Sequence, residues 1–520
     1  MTGTELGRGE TGAAPAQVVP RSREKWILAA TVIASTMAFS DMTIVNVALP
    51  VLQRDLGATF SALQWVVESY TLMLSTLVLV GGAVGDIYGR RRVFTIGIVI
   101  FAVASAACGL SQSAGLLIAA RAVQGLGAAL MMPGSLAIVS ASFPRERQGH
   151  GIGIWSSCTG ISTALAPALG GWLINTLSWH AAFLINLPLA VIALAITLKH
   201  VPESRQERQR RLDVTGMLLV IIGLGALTYG LISAGEKGFG DLRSFGPMLA
   251  GVMALVLLVF AESSATDPMI PLPLFRVPGF SAIQIFTFLL WAALHGTTFF
   301  VPLRLMQVHG FAPTEAGAAL LPLVVTSSIL SRYFGRLADR IAPRTLLIIG
   351  ACLTGSGFLY LAMPGSSASY IVGFFPALML MGLGMGVCQV SVTVVAMNAA
   401  GRANVGTSSA INNAAARTGG LMAIAAFGLI LVNGYDDALA KGLHDAGLPV
   451  AVQLALEQQH GQLAGSVVPA GLAPDQHRLT AMIILDAFVT GYRRAMLVAA
   501  AIAFASAWIA ARWLATGPLR

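Results

Sequence analysis

Asp41, Glu68 and Arg121 interrupt stretches of sequence that are otherwise apolar. An ionised side chain in mid-bilayer costs about 2.5 to 3.5 kcal/mol even on the gentlest insertion scale, so each should face an interior cavity and have a partner. A carboxyl placed there can take up and release a proton, and a guanidinium beside it tunes that exchange by Coulomb attraction. Counted at about 1.5 Å per residue from the outer ends of their helices, Asp41 is roughly 13 Å deep, Arg121 roughly 8 Å and Glu68 roughly 5 Å, a range one arginine side chain bridges. The expected chemistry is alternate binding of a proton or a cationic substrate at Asp41 and Glu68, with Arg121 adjusting both. The competing readings are a purely structural polar bond at Asp41 and, for the shallow Glu68, a side chain that snorkels to water. His295 could relay protons, although a lone membrane histidine more commonly serves as a hydrogen-bonded packing group. Arg417 is expected to reach the nearer membrane surface.

The elements that must position these groups are helices. Fourteen apolar segments, each close to the length that crosses a bilayer, are read from the sequence. The first six fall at 26–50, 65–84, 93–110, 116–140, 154–174 and 181–198. A middle pair follows at 214–232 and 247–261. The last six fall at 283–303, 316–334, 346–363, 371–397, 410–432 and 496–514. With 56% hydrophobic and 11% charged residues and a mean hydropathy of +0.77, too little polar surface remains to clothe a soluble globule of 520 residues.

The expected fold class is therefore an all-α polytopic membrane protein. Its parts are a disordered cytoplasmic tail (1–25), a six-helix bundle (26–199), a basic cytoplasmic loop (200–213), two extra central helices (214–262) and a second six-helix bundle (263–520). The second bundle carries a long extracytoplasmic loop at 433–490, in which 450–459 has the pattern of an amphipathic helix.

A net charge of +9 and a pI near 9.8 would suggest nucleic acid in a soluble protein. Here the basic residues sit in alternate loops instead. With a cytoplasmic N-terminus, about 22 Lys and Arg residues fall inside, about 8 outside and 2, Arg121 and Arg417, within spans. That asymmetry places both termini in the cytoplasm and calls for no nucleic-acid partner; the expected location is a bacterial inner or plasma membrane. Cys108, Cys158, Cys352 and Cys388 lie in apolar segments without a CxxC pair, which reads as packing rather than metal binding.

A repeat relates the two bundles. Between the second and third segments lie Gly82, Asp86, Gly89, Arg90 and Arg91; between the tenth and eleventh Gly335, Asp339 and Arg344 stand at positions matching Gly82, Asp86 and Arg91. Two halves in parallel orientation about an axis along the membrane normal are expected, rocking around a central site. Asp86 beside Arg90 and Arg91 could form charge pairs across the cytoplasmic interface, a latch that holds the halves in one state and releases them in the other. In the fifth segment Gly160, Ala164 and Ala168 recur every fourth residue, a stripe that lets another helix approach, and Pro167 frees a backbone carbonyl.

The loop at 82–92 resembles the signature loop of the major facilitator superfamily, and 335–344 its fainter partner, with Ala342 in place of the usual glycine. The segment 41–50 is similar to the first-span motif of the fourteen-span drug/proton antiporter branch, and 121–127 to its fourth-span motif. Ala166, Pro167, Gly170 and Gly171 resemble the fifth-span antiporter motif, with Ala166 where glycine is usual and His180 where arginine is often found. The resemblance implies proton-coupled efflux of lipophilic or cationic compounds by alternating access, with export of a particular metabolite as the alternative.

Candidate pocket residues are Trp65, Tyr70, Gln124, Phe288, Trp291 and Gln389, with Phe286, Met379, Met381 and Met385 as further apolar lining. For Gln389, Asn412 and Asn413 interhelical hydrogen bonding is the plainer role. None of the four lysines precedes Ser or Thr, so a phosphate-binding loop is missing, and no HExxH or nucleophile motif supports an enzyme. The expected partners are protons, a small-molecule substrate and the lipid bilayer, with no cofactor; whether a periplasmic adaptor joins them is left open by the sequence.

Overall fold

The computed structural model describes residues 21–205, 213–265, 268, 270–337, 341–363, 365, 368–399, 405–469 and 472–514. The first half consists of α1 (Arg21–Leu56), α2 (Phe60–Tyr88), α3 (Arg90–Gly109), α4 (Ala114–Ser142), α5 (Arg145–Thr176) and α6 (Trp179–His200). A middle pair follows, α7 (Val214–Lys237) and α8 (Leu242–Ser264). The second half consists of α9 (Pro278–Gln307), α10 (Pro313–Ser331), α11 (Pro343–Leu361), α12 (Tyr370–Met397), α13 (Val405–Asp445) and α14 (Pro474–Trp513). Thirteen of these pass as single spans by length and apolarity, and α2, bent by 51° between Val78 and Val80, is the fourteenth.

Local chemistry sets the helix ends. Thr59, Ser113 and Asp213 each accept a hydrogen bond from a backbone N–H three residues on, at 3.2, 3.3 and 2.8 Å. Proline opens α9, α10, α11 and α14, where its missing N–H costs nothing. The face of α8 carrying Leu249, Val252, Met253, Val256, Leu257 and Phe260 is exposed, an apolar surface suited to acyl chains.

Within the first half α2 and α3 pack on α4, and α1 on α5; within the second, α9 packs on α13 and α11 on α12. The halves meet where α5 touches α10, α2 touches α13 and α1 touches α9, and α7 bridges α2 and α13. These meetings lie at the end of the molecule remote from Arg21 and Trp513. There a Cβ added to Gly171 of α5 would strike the Pro313 carbonyl, and one added to Gly317 of α10 would strike the Pro167 carbonyl. At the other end of α5 a Cβ on Gly149, Gly153 or Gly160 meets nothing among the described residues. Among the described residues the contacts between the halves therefore gather at the far end of the molecule.

Several expectations need correction. Gly160 faces open space, so the close helix contact expected along its stripe occurs instead at Gly170, against the Ile44 side chain, and at Gly171. The loop expected at 433–490 is shorter, because α13 continues to Asp445 and α14 begins at Pro474. Tyr435, Leu439 and Leu443 are buried at a four-residue spacing, while Asp437 and Lys441 on the exposed face interrupted the apolar run that marks a span. The connection that remains contains a helix over Val450–Glu457, with Val452 and Leu456 buried. Residues 21–25, expected in a disordered tail, belong to α1; residues 1–20, and 206–212 of the basic loop, lie outside the described residues.

Candidate functional site

Four helices of the first half bring polar groups to one buried point. Asp41 comes from α1, Ser105 from α3, Arg121 and Gln124 from one face of α4, and Asn186 from α6. Arg121 Nη1 donates to Asp41 Oδ2, and each side chain is 1% exposed. The other carboxylate oxygen, Oδ1, accepts from Gln124 Nε2 at 2.9 Å and from Asn186 Nδ2 at 3.4 Å. Arg121 also donates to Gln124 Oε1 at 2.7 Å and, through Nε, to the Val66 carbonyl at 3.0 Å. Ser105 Oγ accepts from both amides and donates to the Phe183 carbonyl at 2.8 Å. The Tyr70 ring lies 4.2 Å from the Arg121 guanidinium carbon, which adds a cation–π contact, and Tyr70 donates its hydroxyl to the Ala38 carbonyl at 3.0 Å.

A buried ion pair holds only when its remaining hydrogen-bonding capacity is met. Both Asp41 oxygens accept hydrogen bonds from protein groups here, and the side chain is buried in this conformation. Sequence reasoning found Asp41, Arg121, Gln124 and Tyr70 but missed Ser105 and Asn186. Asn186, a lone amide in an apolar segment, was the available signal.

Glu68 is placed differently from the expectation. It is fully buried rather than reaching water, and neither carboxyl oxygen has a hydrogen-bond partner among the described residues. The ion pair of Arg121 is with Asp41, so Arg121 does not pair with both acids. Glu68 shares a stripe of α2 with Gln64, which donates to the Ile424 carbonyl of α13 at 2.8 Å, and with Leu72, which packs on Leu224 of α7 and Leu421 of α13. The unpartnered acid thus lies on the helix face where the two halves meet.

His295 has Nδ1 2.9 Å from the Trp291 carbonyl of its own helix, and Gly420 of α13 leaves room for its ring. Arg417 is half-buried on α13. It has no ion pair among the described residues. Arg304, counted outside the spans from sequence, is fully buried in α9; it donates to the Leu361 and Gly365 carbonyls, each at 3.3 Å, and stacks over Tyr492 at 4.5 Å.

The signature loop is held within its own half. Asp86 accepts from Arg90 Nε at 2.9 Å, and Arg91 Nη2 donates to the Leu198 carbonyl at 2.7 Å. Glu203 accepts from the backbone N–H groups of Arg91 and Arg92 at 3.0 and 3.1 Å, capping α3. Gly89 has φ +106°, and a side chain there would meet the Glu203 carboxylate. Gly82 faces Pro133 of α4. Arg344 donates to the Ala511 carbonyl of α14, and Asp339 lies outside the described residues. In this conformation the described contacts of these loops tie each loop to its own bundle, the arrangement a released latch would show. Glu203 was missed; an acid inside a basic loop was its only mark.

The expected pocket residues divide. Trp291 and Gln389 line a cavity of about 130 Å³ between α9, α12 and α13, together with Thr287, Thr393, Asn412 and Asn413. Trp65 instead packs on Tyr229 of α7, ring centroids 6.1 Å apart. Tyr70 and Gln124 belong to the Asp41 cluster, Phe286 and Met381 are core, and Met379 Sδ accepts from Thr326 at 3.1 Å. Phe288 is half-buried on α9 and does not line this cavity. Asn412 does bond between helices, donating to Gln284 Oε1 at 3.1 Å and Thr287 Oγ1 at 2.8 Å.

The fold resembles that of a bacterial homologue of the human lysosomal transporter Spinster, solved inward-facing and unoccupied, with a TM-score of 0.63, 15% identity, and coverage of 98% of this chain and 100% of that one. In sequence the chain is 34% identical to the multidrug resistance protein Stp of Mycobacterium tuberculosis, over 94% of this chain and 91% of that protein. It is 33% identical to the tetracenomycin C resistance and export protein of Streptomyces glaucescens, with the same coverage, and 34% identical to a methylenomycin A resistance protein of Streptomyces coelicolor over 83% of this chain and 90% of that protein. The family model of the Major Facilitator Superfamily matches residues 31–424. With two repeated bundles, a closed far end and that match over most of its length, this chain belongs to the Major Facilitator Superfamily.

Proposed function

We propose that this protein is a proton-coupled drug exporter that works by alternating access in a cell membrane, with both termini cytoplasmic. The observation that carries the reading is the Asp41–Arg121 pair, fully buried and hydrogen-bonded on both carboxylate oxygens. A proton on Asp41 removes the charge that holds Arg121, so the guanidinium and the helices it joins rearrange; loss of the proton restores the pair. Glu68, buried without a partner against the second half, makes the closed far end sensitive to its own proton in the same way. Proton entry can drive export, since each charge moved through 100 mV contributes about 2.3 kcal/mol and each pH unit about 1.4 kcal/mol.

Relatives named for resistance to single antibiotics support a second reading, export of one natural product rather than many drugs. Expression in a pump-deficient bacterium, with dyes, antiseptics and antibiotics screened for efflux, distinguishes a broad cargo range from a narrow one. Efflux that continues unchanged in the presence of a protonophore would contradict proton coupling.

A further inference from the structure

The cavity between α9, α12 and α13 has a chemistry of its own. Its polar lining comes from amides and hydroxyls, and among the described residues no acidic side chain lines it. Asn412 is engaged by Gln284 and Thr287, and the Asn413 amide nitrogen by the Ser409 carbonyl at 3.0 Å, which leaves the Asn413 side-chain oxygen as an acceptor. The Gln389 side chain is exposed and makes no hydrogen bond among the described residues, so it offers both a donor and an acceptor. Trp291 supplies a flat apolar wall. The charge that follows along α13, one residue beyond the lining residue Ala416, is the guanidinium of Arg417, without an ion pair among the described residues.

An organic cation desolvated in such a site would find no carboxylate, and the protein charge closest in sequence would repel it. The two buried acids on α1 and α2 do not line this cavity, and Asp41 is already held by Arg121. A flat, oxygen-bearing aromatic without positive charge meets every group: a ring face for Trp291, a carbonyl for the Gln389 NH₂, and a hydroxyl for the Asn413 oxygen.

We propose that this cavity is the subsite for an uncharged, oxygen-rich aromatic portion of the cargo, read by Gln389, Asn413 and Trp291. The inference rests on the export reading and narrows its cargo to the lipophilic, uncharged class.

The test uses the full-length protein in proteoliposomes under an imposed pH gradient, with two planar aromatic probes, 1,8-dihydroxyanthraquinone (uncharged) and ethidium (cationic). Gradient-dependent movement of the anthraquinone is expected, with ethidium slower by about ten-fold or more, the equivalent of one unmet charge-assisted contact. Gln389→Ala and Asn413→Ala should each raise the anthraquinone KM several-fold without changing kcat or the proton leak, and Trp291→Phe should preserve more activity than Trp291→Ala. Ethidium carried as well as the anthraquinone, or an anthraquinone KM indifferent to both amide variants, would overturn the subsite and leave export standing. Movement of neither probe, nor of any drug active in the cellular screen, would overturn export and the subsite together.

Discussion

Gln307 at the end of α9 donates to Gln53 at the end of α1 at 2.6 Å, and so joins the two halves at the closed end of the molecule. Gln53 in turn donates to the Gln462 carbonyl at 3.0 Å, which adds the segment after the Val450–Glu457 helix to the same closure. A neutral hydrogen bond of this kind contributes about 1 kcal/mol, so Gln307→Ala should move the open/closed ratio at the far end about five-fold toward open. Spin labels at the exposed positions Arg54 and Lys441 would report this as a longer, broader distance distribution. An unchanged distribution would remove Gln53 and Gln307 from the gate.

The reciprocal contacts of Gly171 with Pro313 and of Gly317 with Pro167 leave no room for a side chain. Gly171→Val should destabilise the far-closed conformation by about 1 to 3 kcal/mol, the usual cost of overpacking. Gly153→Val at the open end of the same helix meets nothing and should leave that conformation intact. Cysteine accessibility at the far end separates the two: it should rise for Gly171→Val and not for Gly153→Val.

Glu68 is buried with both oxygens unpartnered, a costly arrangement for an ionised group. Glu68→Gln keeps the shape and cannot ionise, so its thermal stability in detergent should equal or exceed that of the parent. Transport should become less dependent on external pH. A large loss of stability would mean that Glu68 is ionised and paired.

Glu203 caps α3 through two backbone N–H groups, and removal of such a cap costs about 0.5 to 2 kcal/mol. Glu203→Ala should lower the melting temperature, whereas Glu203→Gln, which can still accept, should lower it less. Gly89→Ala should be worse than Glu203→Gln, because φ of +106° strains any side chain there. Equal melting temperatures for all three would show that the loop is not pinned.

How much of this was readable in advance depends on how strongly each residue breaks the local pattern. Asp41 and Arg121 stood out because a charge among apolar neighbours has one economical explanation, and the bundle pair followed from the repeat around Asp86. Ser105 and Asn186 are small and neutral, and their part in holding Asp41 depends on three-dimensional convergence that spacing does not encode. Arg304 was taken for a helix-end residue because its segment was cut one residue short, at Leu303. The true lengths of α13 and α14 were hidden because their buried stripes continue past the bilayer with charges on the other face. The glycine stripe at Gly160 was legible as a stripe but not as the side of α5 that stands open in this conformation.

In the proposed mechanism Asp41 exchanges the proton that drives transport, and drug-driven proton release from proteoliposomes measures that exchange directly. Loss of one partner of a buried pair costs about 3 to 5 kcal/mol, so Asp41→Asn is compared with Asp41→Asn/Arg121→Gln, which leaves no unpaired charge. The double variant should fold and still bind drug, and neither variant should release protons when drug is added. Normal drug-driven proton release by a folded Asp41→Asn protein would contradict the account.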